Sequence, residues 1–217
     1  TATAASAKAA AERTNGGYYA VRPRTRPPQR TMCLIVIAWR QHADFPLVIA
    51  ANRDEFHARP TDPLHFWTDH PQLLAGRDLR AGGTWLGITR TGRFAAITNR
   101  RGHEAPAGAP SRGMLTLDYL LEESPPRLYI QRLGSECESY AGFNLLVGDI
   151  AGELHYLGNR GPRLEHLQPG VYGLSNAMPD TPWPKLLGAR VEVAALLRGD
   201  PDPQRVLELL ADRTVPP

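Results

Sequence analysis

What most limits how this chain can fold is the shortness of its apolar runs and the regularity of the turns between them. Leu34 to Trp39 is unbroken apolar sequence with β-branched residues at its middle, which reads as a strand buried on both faces. Gln41 to Pro46 is polar and turn-like, and Leu47 to Ala51 is a second apolar run, so the two are expected to pair as a hairpin. The pattern recurs downstream. Leu73 to Arg77 and Thr84 to Thr89 lie either side of Gly82-Gly83, and Phe94 to Thr98 follows the tight turn Arg90 to Arg93. Phe143 to Gly148 and Glu153 to Leu157 flank the turn Asp149 to Gly152, and Val171 to Ser175 is a further strand. Arg59 to Pro71, interrupted by prolines, is expected to be loop.

Two stretches switch to helical spacing. Met114, Leu117, Leu120 and Leu121 recur on one face, with Ser111 as N-cap. Pro125-Pro126 ends that helix, and Leu128 to Tyr140 reads as its partner. Pro184 suits the first turn of a third helix carrying Leu186, Leu187, Val191, Ala194, Ala195 and Leu197, and Gln204 to Arg213 forms a fourth. The order is strands, a helix pair, strands, a helix pair. Antiparallel hairpins with segregated helices predict an α+β fold, satisfied by two stacked sheets between helical layers.

The formal charge of +3 is unevenly spread. Residues 1–31 hold six of the 25 basic residues and one of the 22 acidic ones; the remaining 19 and 21 give a net charge of −2. A general nucleic-acid-binding surface is therefore not expected. Residues 1–31 lack hydrophobic periodicity and end in a Pro/Arg run, so they read as a disordered basic extension upstream of the folded chain that starts at Met32. An organellar transit peptide or a polyanion-binding arm is the alternative. No run approaches the ~20 apolar residues of a transmembrane helix. Cys33 and Cys137 make no disulfide framework, so a reduced, cytoplasmic setting is expected.

Several residues are candidates for chemistry. If Cys33 becomes the amino terminus, one residue carries both a nucleophile and a base, because its α-amine can take the thiol proton. Arg53 and Asp54 sit at the exit of the strand expected to pair with that of Cys33. A guanidinium there favours thiolate, and a carboxylate can orient the amine. Asn99 and Asn176 end strands and offer amide donors suited to an oxyanion. The seven histidines show no metal-ligand spacing and read as scattered surface residues, so no metal is expected. Cys137 lies in polar sequence and reads as incidental. Gly82-Gly83 lacks the rest of a phosphate loop and reads as a tight backbone approach or a bulge.

Taken in order, Met32-Cys-Leu-Ile35, Ala51-Asn-Arg-Asp-Glu-Phe56, Ala75-Gly-Arg-Asp78, Gly82-Gly-Thr-Trp-Leu-Gly87, Ala96-Ile-Thr-Asn99, Pro110-Ser-Arg-Gly113, Gly142-Phe-Asn-Leu-Leu-Val-Gly-Asp149, Gly173-Leu-Ser-Asn176 and Asp180-Thr-Pro-Trp-Pro-Lys185 resemble the signature of the NRDE-domain family, the transport and Golgi organisation protein 2 family. The resemblance covers 32–217 and implies a four-layer αββα sandwich related to the N-terminal-nucleophile hydrolases. It implies Cys33 as nucleophile of linear-amide hydrolysis with no cofactor required, Arg53 and Asp54 beside it, and Asn99 and Asn176 as oxyanion or substrate contacts. It equally implies a non-catalytic protein handling haem or an acyl lipid, since the family is associated with haem mobilisation, lipid homeostasis and secretory organisation. Three departures stand out. Residues precede Met32, Met178-Pro179 replaces an aliphatic pair, and the sequence stops at Pro217, so the family's last strands are expected to be missing.

Overall fold

The computed structural model describes residues 33–53, 55, 58–100, 106–160, 164–176 and 183–211. The expectations for residues 1–31 and for Asp54 fall outside the described residues. Among the described residues, ten strands form two sheets. The smaller has β1 (Leu34–Trp39) at its centre, with β2 (Leu47–Asn52) on one side and β10 (Gly170–Leu174) on the other. The larger is a seven-stranded meander of β3 (Thr61–Phe66), β4 (Leu73–Asp78), β5 (Leu86–Thr89), β6 (Arg93–Asn99), β7 (Phe143–Asp149), β8 (Leu154–Gly158) and β9 (Leu164–Leu167), in that order. Neighbouring strands run antiparallel in both sheets. Helices α1 (Arg112–Leu121) and α2 (Pro126–Glu136) come between β6 and β7, and α3 (Pro184–Leu196) and α4 (Pro203–Ala211) follow β10.

Side-chain alternation assembles these elements into four layers. In β1, Leu34, Val36 and Ala38 pack with Leu186, Ala189 and Val193 of α3, whereas Ile35, Ile37 and Trp39 pack with Phe94, Leu146 and Tyr156 of the large sheet. Successive strand residues point to opposite faces, so a strand covered on both sides must be apolar throughout. β6 does the same in the other sheet: Phe94 and Ala96 meet the small sheet, and Ala95 and Ile97 meet α1 and α2. The fold is α+β in αββα layers. Each of the larger aliphatic and aromatic side chains among these contributes about 1.5–3 kcal/mol of burial, and β1 and β6 are buried along nearly their whole length.

Three expectations require correction. Residues Thr61–Phe66 are a strand, not loop. Pro63 is accommodated because β3 is an edge strand, where one side needs no ladder donor, and the pairing shifts between Asp62 and His65. Cys137 is fully buried in the core beneath α1 and α2, and its thiol donates to the Gly134 carbonyl at 3.3 Å. Polar neighbours in sequence misled because a short 3₁₀ turn, Cys137–Ser139, rotates it inward. His155 is also buried, at 3% exposure, because β8 lies inside the sheet rather than at its edge. Ser111 does occupy the N-cap of α1, but without a side-chain capping bond. Among the described residues, no helix is long and apolar enough to cross a membrane.

Candidate active site

Strand register places the residues flanking Cys33. The last registered pairs near it are Leu34↔Asn52 on one side and Ile35↔Leu174 on the other. Continued to Cys33, the same registers set its backbone beside Arg53 and opposite Asn176. β1 is central, so the cysteine at its entry is flanked from both sides by segments leaving β2 and β10. That placement follows from pairing alone.

Cys33 opens onto a cleft of about 980 Å³, which Arg53 and Asn99 also line. Its walls come from β3, β4, the Arg80–Gly83 loop and the Ala109–Gly113 approach to α1. Cys33 is 7% exposed and is not disulfide-bonded to Cys137. Asn176 does not line the cleft, although its side-chain oxygen is buried and meets no partner among the described residues. The preceding residue is held firmly. The Ser175 carbonyl accepts from Thr98 Oγ1 at 2.8 Å and from the Asn144 amide at 3.2 Å, and Tyr156 donates to Asn144 Oδ1 at 2.8 Å. This buried network ties the two sheets together beneath the site. Burial pushes the Tyr156 hydroxyl up to about 12, so it remains a neutral donor at physiological pH.

The cleft contains more charge than sequence reasoning found. Among the described residues it is lined by Arg53, Arg59, Arg77, Arg80 and Arg112 against Glu55, Asp62 and Asp78. Asp78 organises one wall. Its Oδ2 accepts from Arg59 Nη2 at 2.6 Å and Nε at 2.8 Å, with Arg53 Nη2 at 3.9 Å. Its Oδ1 accepts from the backbone N–H groups of Arg80 and Ala81 at 3.0 and 3.2 Å. Arg53 also pairs with Glu55 at 3.3 Å. Asp78 therefore fixes both the arginine at the exit of β2 and the loop that follows β4.

Burial by itself would raise the Asp78 carboxyl, but the Arg59 hydrogen bond and the two backbone donors hold it below the usual carboxylate range. A depressed folded-state value contributes stability that is fully present above the unfolded value, about 4, and is lost as pH falls through the folded one. Asp78→Asn is therefore expected to lower the thermal midpoint at neutral pH and to flatten its decline below about pH 4. An unchanged acid limb in the variant would rule this assignment out.

Arg112 occupies the opposite wall. Its Nη1 donates to the Gly142 carbonyl at 2.9 Å, and no carboxylate of the described residues is within ion-pair distance of it. Burial pushes its guanidinium down from the ordinary value; Glu55 opposes that, Arg59 adds to it, and Cys33 opposes it. The last influence is reciprocal: the guanidinium favours negative charge on the Cys33 sulfur. Arg112 lies within Pro110-Ser-Arg-Gly113, yet only the packing of α1 against β5 and β6 brings it to a cysteine 79 positions away in sequence.

The Transport and Golgi organisation 2 family model matches residues 32–217. The Transport and Golgi organization protein 2 homolog of Bos taurus is 39% identical over 178 residues, covering 77% of this chain and 64% of that protein. The Drosophila melanogaster Transport and Golgi organization protein 2 is 34% identical over 173 residues, covering 73% and 61%. The chain thus spans less than two thirds of the length of these relatives. Among solved structures, the N-acylethanolamine-hydrolyzing acid amidase ortholog of Caenorhabditis elegans aligns over 83% of this chain and 86% of that one, at TM-score 0.48 and 12% identity. The matched span, together with these relatives, establishes that the chain belongs to the Transport and Golgi organisation 2 family.

Proposed function

We propose that this protein hydrolyses a linear amide in a small metabolite, with Cys33 as the nucleophile. The observation that carries this reading is the position of Cys33 in the cleft, at the entry of the central strand and under the influence of the Arg112 guanidinium. The thiolate attacks the amide carbonyl carbon, and the oxyanion that forms is held by amide or guanidinium donors. The C–N bond then breaks, the leaving amine takes a proton, and a thioester remains on Cys33. Water cleaves the thioester, releasing the acid and restoring the thiol. When Cys33 is the amino terminus, its α-amine takes the thiol proton and delivers it to the leaving group. Asp54 would orient that amine, and Asn99, which lines the cleft, is the proposed amide donor.

The balance of charge in the cleft also indicates what substrate it accepts. Arg53 and Arg59 are engaged by Glu55 and Asp78, and Arg77 is engaged by Asp69 at 2.9 Å outside the cleft. Arg80 and Arg112 remain without such a partner among the described residues. Arg80 is exposed, but Arg112 is partly withdrawn from solvent, where a cation without a counter-charge is costly, so a substrate bearing a carboxylate or phosphate fits better than a neutral one. The same surplus supports the second reading, in which the cleft holds an anionic ligand such as haem or an acyl lipid without cleaving it. The two are separated by chemistry at sulfur. Stoichiometric alkylation of Cys33, located by peptide mass, is expected to abolish release of amine from any accepted amide. Turnover that persists after complete alkylation would exclude Cys33 as nucleophile, and binding without turnover in the untreated protein would favour the second reading.

A further inference from the structure

The opposite end of the large sheet carries a second cluster of chemistry-bearing side chains. Glu153, His155 and His166 each present a donor atom, and these atoms lie within 4.8 Å of one another. Register builds the cluster. His155 on β8 pairs directly with His166 on β9, and Glu153, two residues before His155, points to the same face. The rings stack at 4.9 Å with 22° between their planes, and Glu153 Oε2 lies 2.6 Å from His155 Nε2. His155 is buried at 3% exposure, and its Nδ1 meets no partner among the described residues. Glu153 and His166 are exposed, which leaves the cluster open to solvent.

From this arrangement we infer that Glu153, His155 and His166 form a binding site for a divalent transition-metal ion of the zinc class. Two imidazoles and one carboxylate are a borderline donor set; hard cations such as calcium or magnesium take oxygen ligands instead. Three protein donors leave a fourth tetrahedral position for water. With bonds of about 2.0–2.1 Å, donors around zinc stand roughly 3.4 Å apart. The cluster must therefore contract by on the order of 1 Å. His155 is fixed by its strand, and the exposed side chains of Glu153 and His166 supply the movement through rotamer change.

Coordination replaces the bond between His155 Nε2 and Glu153. Nε2 binds the ion through its lone pair, so a neutral His155 then carries its one proton on Nδ1 instead. Metal ligands usually donate that second N–H to a carbonyl or carboxylate. His155 Nδ1 has no such partner among the described residues, so the site lacks the roughly 10–100-fold in affinity that such a partner supplies. Strand order gives such an ion a mechanical role. β9 ends the large sheet, and an ion shared by β8 and β9 clips the edge strand to its neighbour. It lies on β8 and β9, two strands beyond β6, the last strand of the large sheet to line the cleft, and shares no residue with the cleft.

The test is zinc titration of the full chain by calorimetry, with thermal melts in parallel. A Cys33→Ala background prevents the thiol from taking the metal. One zinc per chain with a micromolar Kd is expected, together with a rise in melting temperature on zinc addition. His166→Ala, at an exposed position, should melt normally in chelator yet bind zinc about tenfold or more weakly and lose the zinc-dependent rise. Glu153→Gln should weaken binding in the same direction. No binding up to about 100 µM zinc, or equal affinity in His166→Ala, would overturn the inference.

Discussion

Cys33→Ala is expected to lower amide turnover on the order of a thousandfold or more while leaving the melting temperature within a few degrees of the parent. The size of the first effect follows from the role of the sulfur. Without it no covalent acyl intermediate can form, and only water held in the same cleft remains to attack the carbonyl. The small size of the second follows from the side chain's position. Cys33 lies at the entry of β1 on the cleft wall, outside the three apolar clusters that stabilise the layers, so its loss removes one sulfur from the cleft wall and none from those clusters. Arg112→Met is the informative companion. Arg112 and Cys33 influence one another's charge, so removing the guanidinium should move the pH profile of Cys33 alkylation to higher pH. It should also weaken anionic substrates more than neutral ones. Arg112→Lys should restore much of the first effect, because charge alone serves the sulfur, and less of the second, where a planar fork matters. Turnover by Cys33→Ala close to that of the parent would end the hydrolytic reading, whatever Arg112 does.

How much of this was legible from sequence varied with the kind of information involved. β1 could be read because a strand covered on both faces has to be apolar at every position, and Leu34 to Trp39 is. β3 could not, because an edge strand has no such requirement: Asp62, Pro63 and His65 are tolerated there and carry a loop's composition. The site shows the same division. Cys33 and Arg53 could be paired in advance because a hairpin links them with a register that its turn fixes. Arg59 and Asp78 are likewise brought together by a hairpin, since Thr61 pairs with Asp78, but β3 has a loop's composition, so sequence alone did not reveal their 2.6 Å ion pair. Arg112 enters from a helix that only the packing of the large sheet can position. The histidines show the point most simply. His155 and His166 have no metal-ligand spacing in sequence, because the distance between them is set by β8–β9 register, a property of the pairing and not of the local sequence.

The largest stability effect is expected at Gly83, and the contrast with its neighbour Gly82 explains why. Both belong to the loop between β4 and β5, and sequence alone reads them together as a tight approach or a bulge. A Cβ on Gly82 would meet nothing within 4 Å, but that residue holds φ at +78°. Alanine there bears only the left-handed penalty, roughly 1–2 kcal/mol, and Gly82→Asn should recover part of it. A Cβ on Gly83 would lie 2.5 Å from the Gly113 carbonyl carbon, 2.6 Å from its oxygen and 2.9 Å from the Met114 nitrogen. All three are backbone atoms of the first turn of α1, and Thr84 N–H donates to that same Gly113 carbonyl at 3.2 Å. No flexible side chain can yield, so the loop and the helix must separate. Gly83→Ala should therefore cost about 3 kcal/mol or somewhat more, a fall in melting temperature of roughly 6–12 °C for a chain of this size. Separation also carries Ser111 and Arg112 away from the cleft, so the thiol of Cys33 should lose the field of Arg112 and alkylate more slowly at neutral pH. Gly82→Ala leaves that contact in place and should alkylate at the parental rate. Equal melting temperatures for the two alanine variants would show that the loop is not clamped against the helix, and the coupling of this turn to the cysteine would go with it.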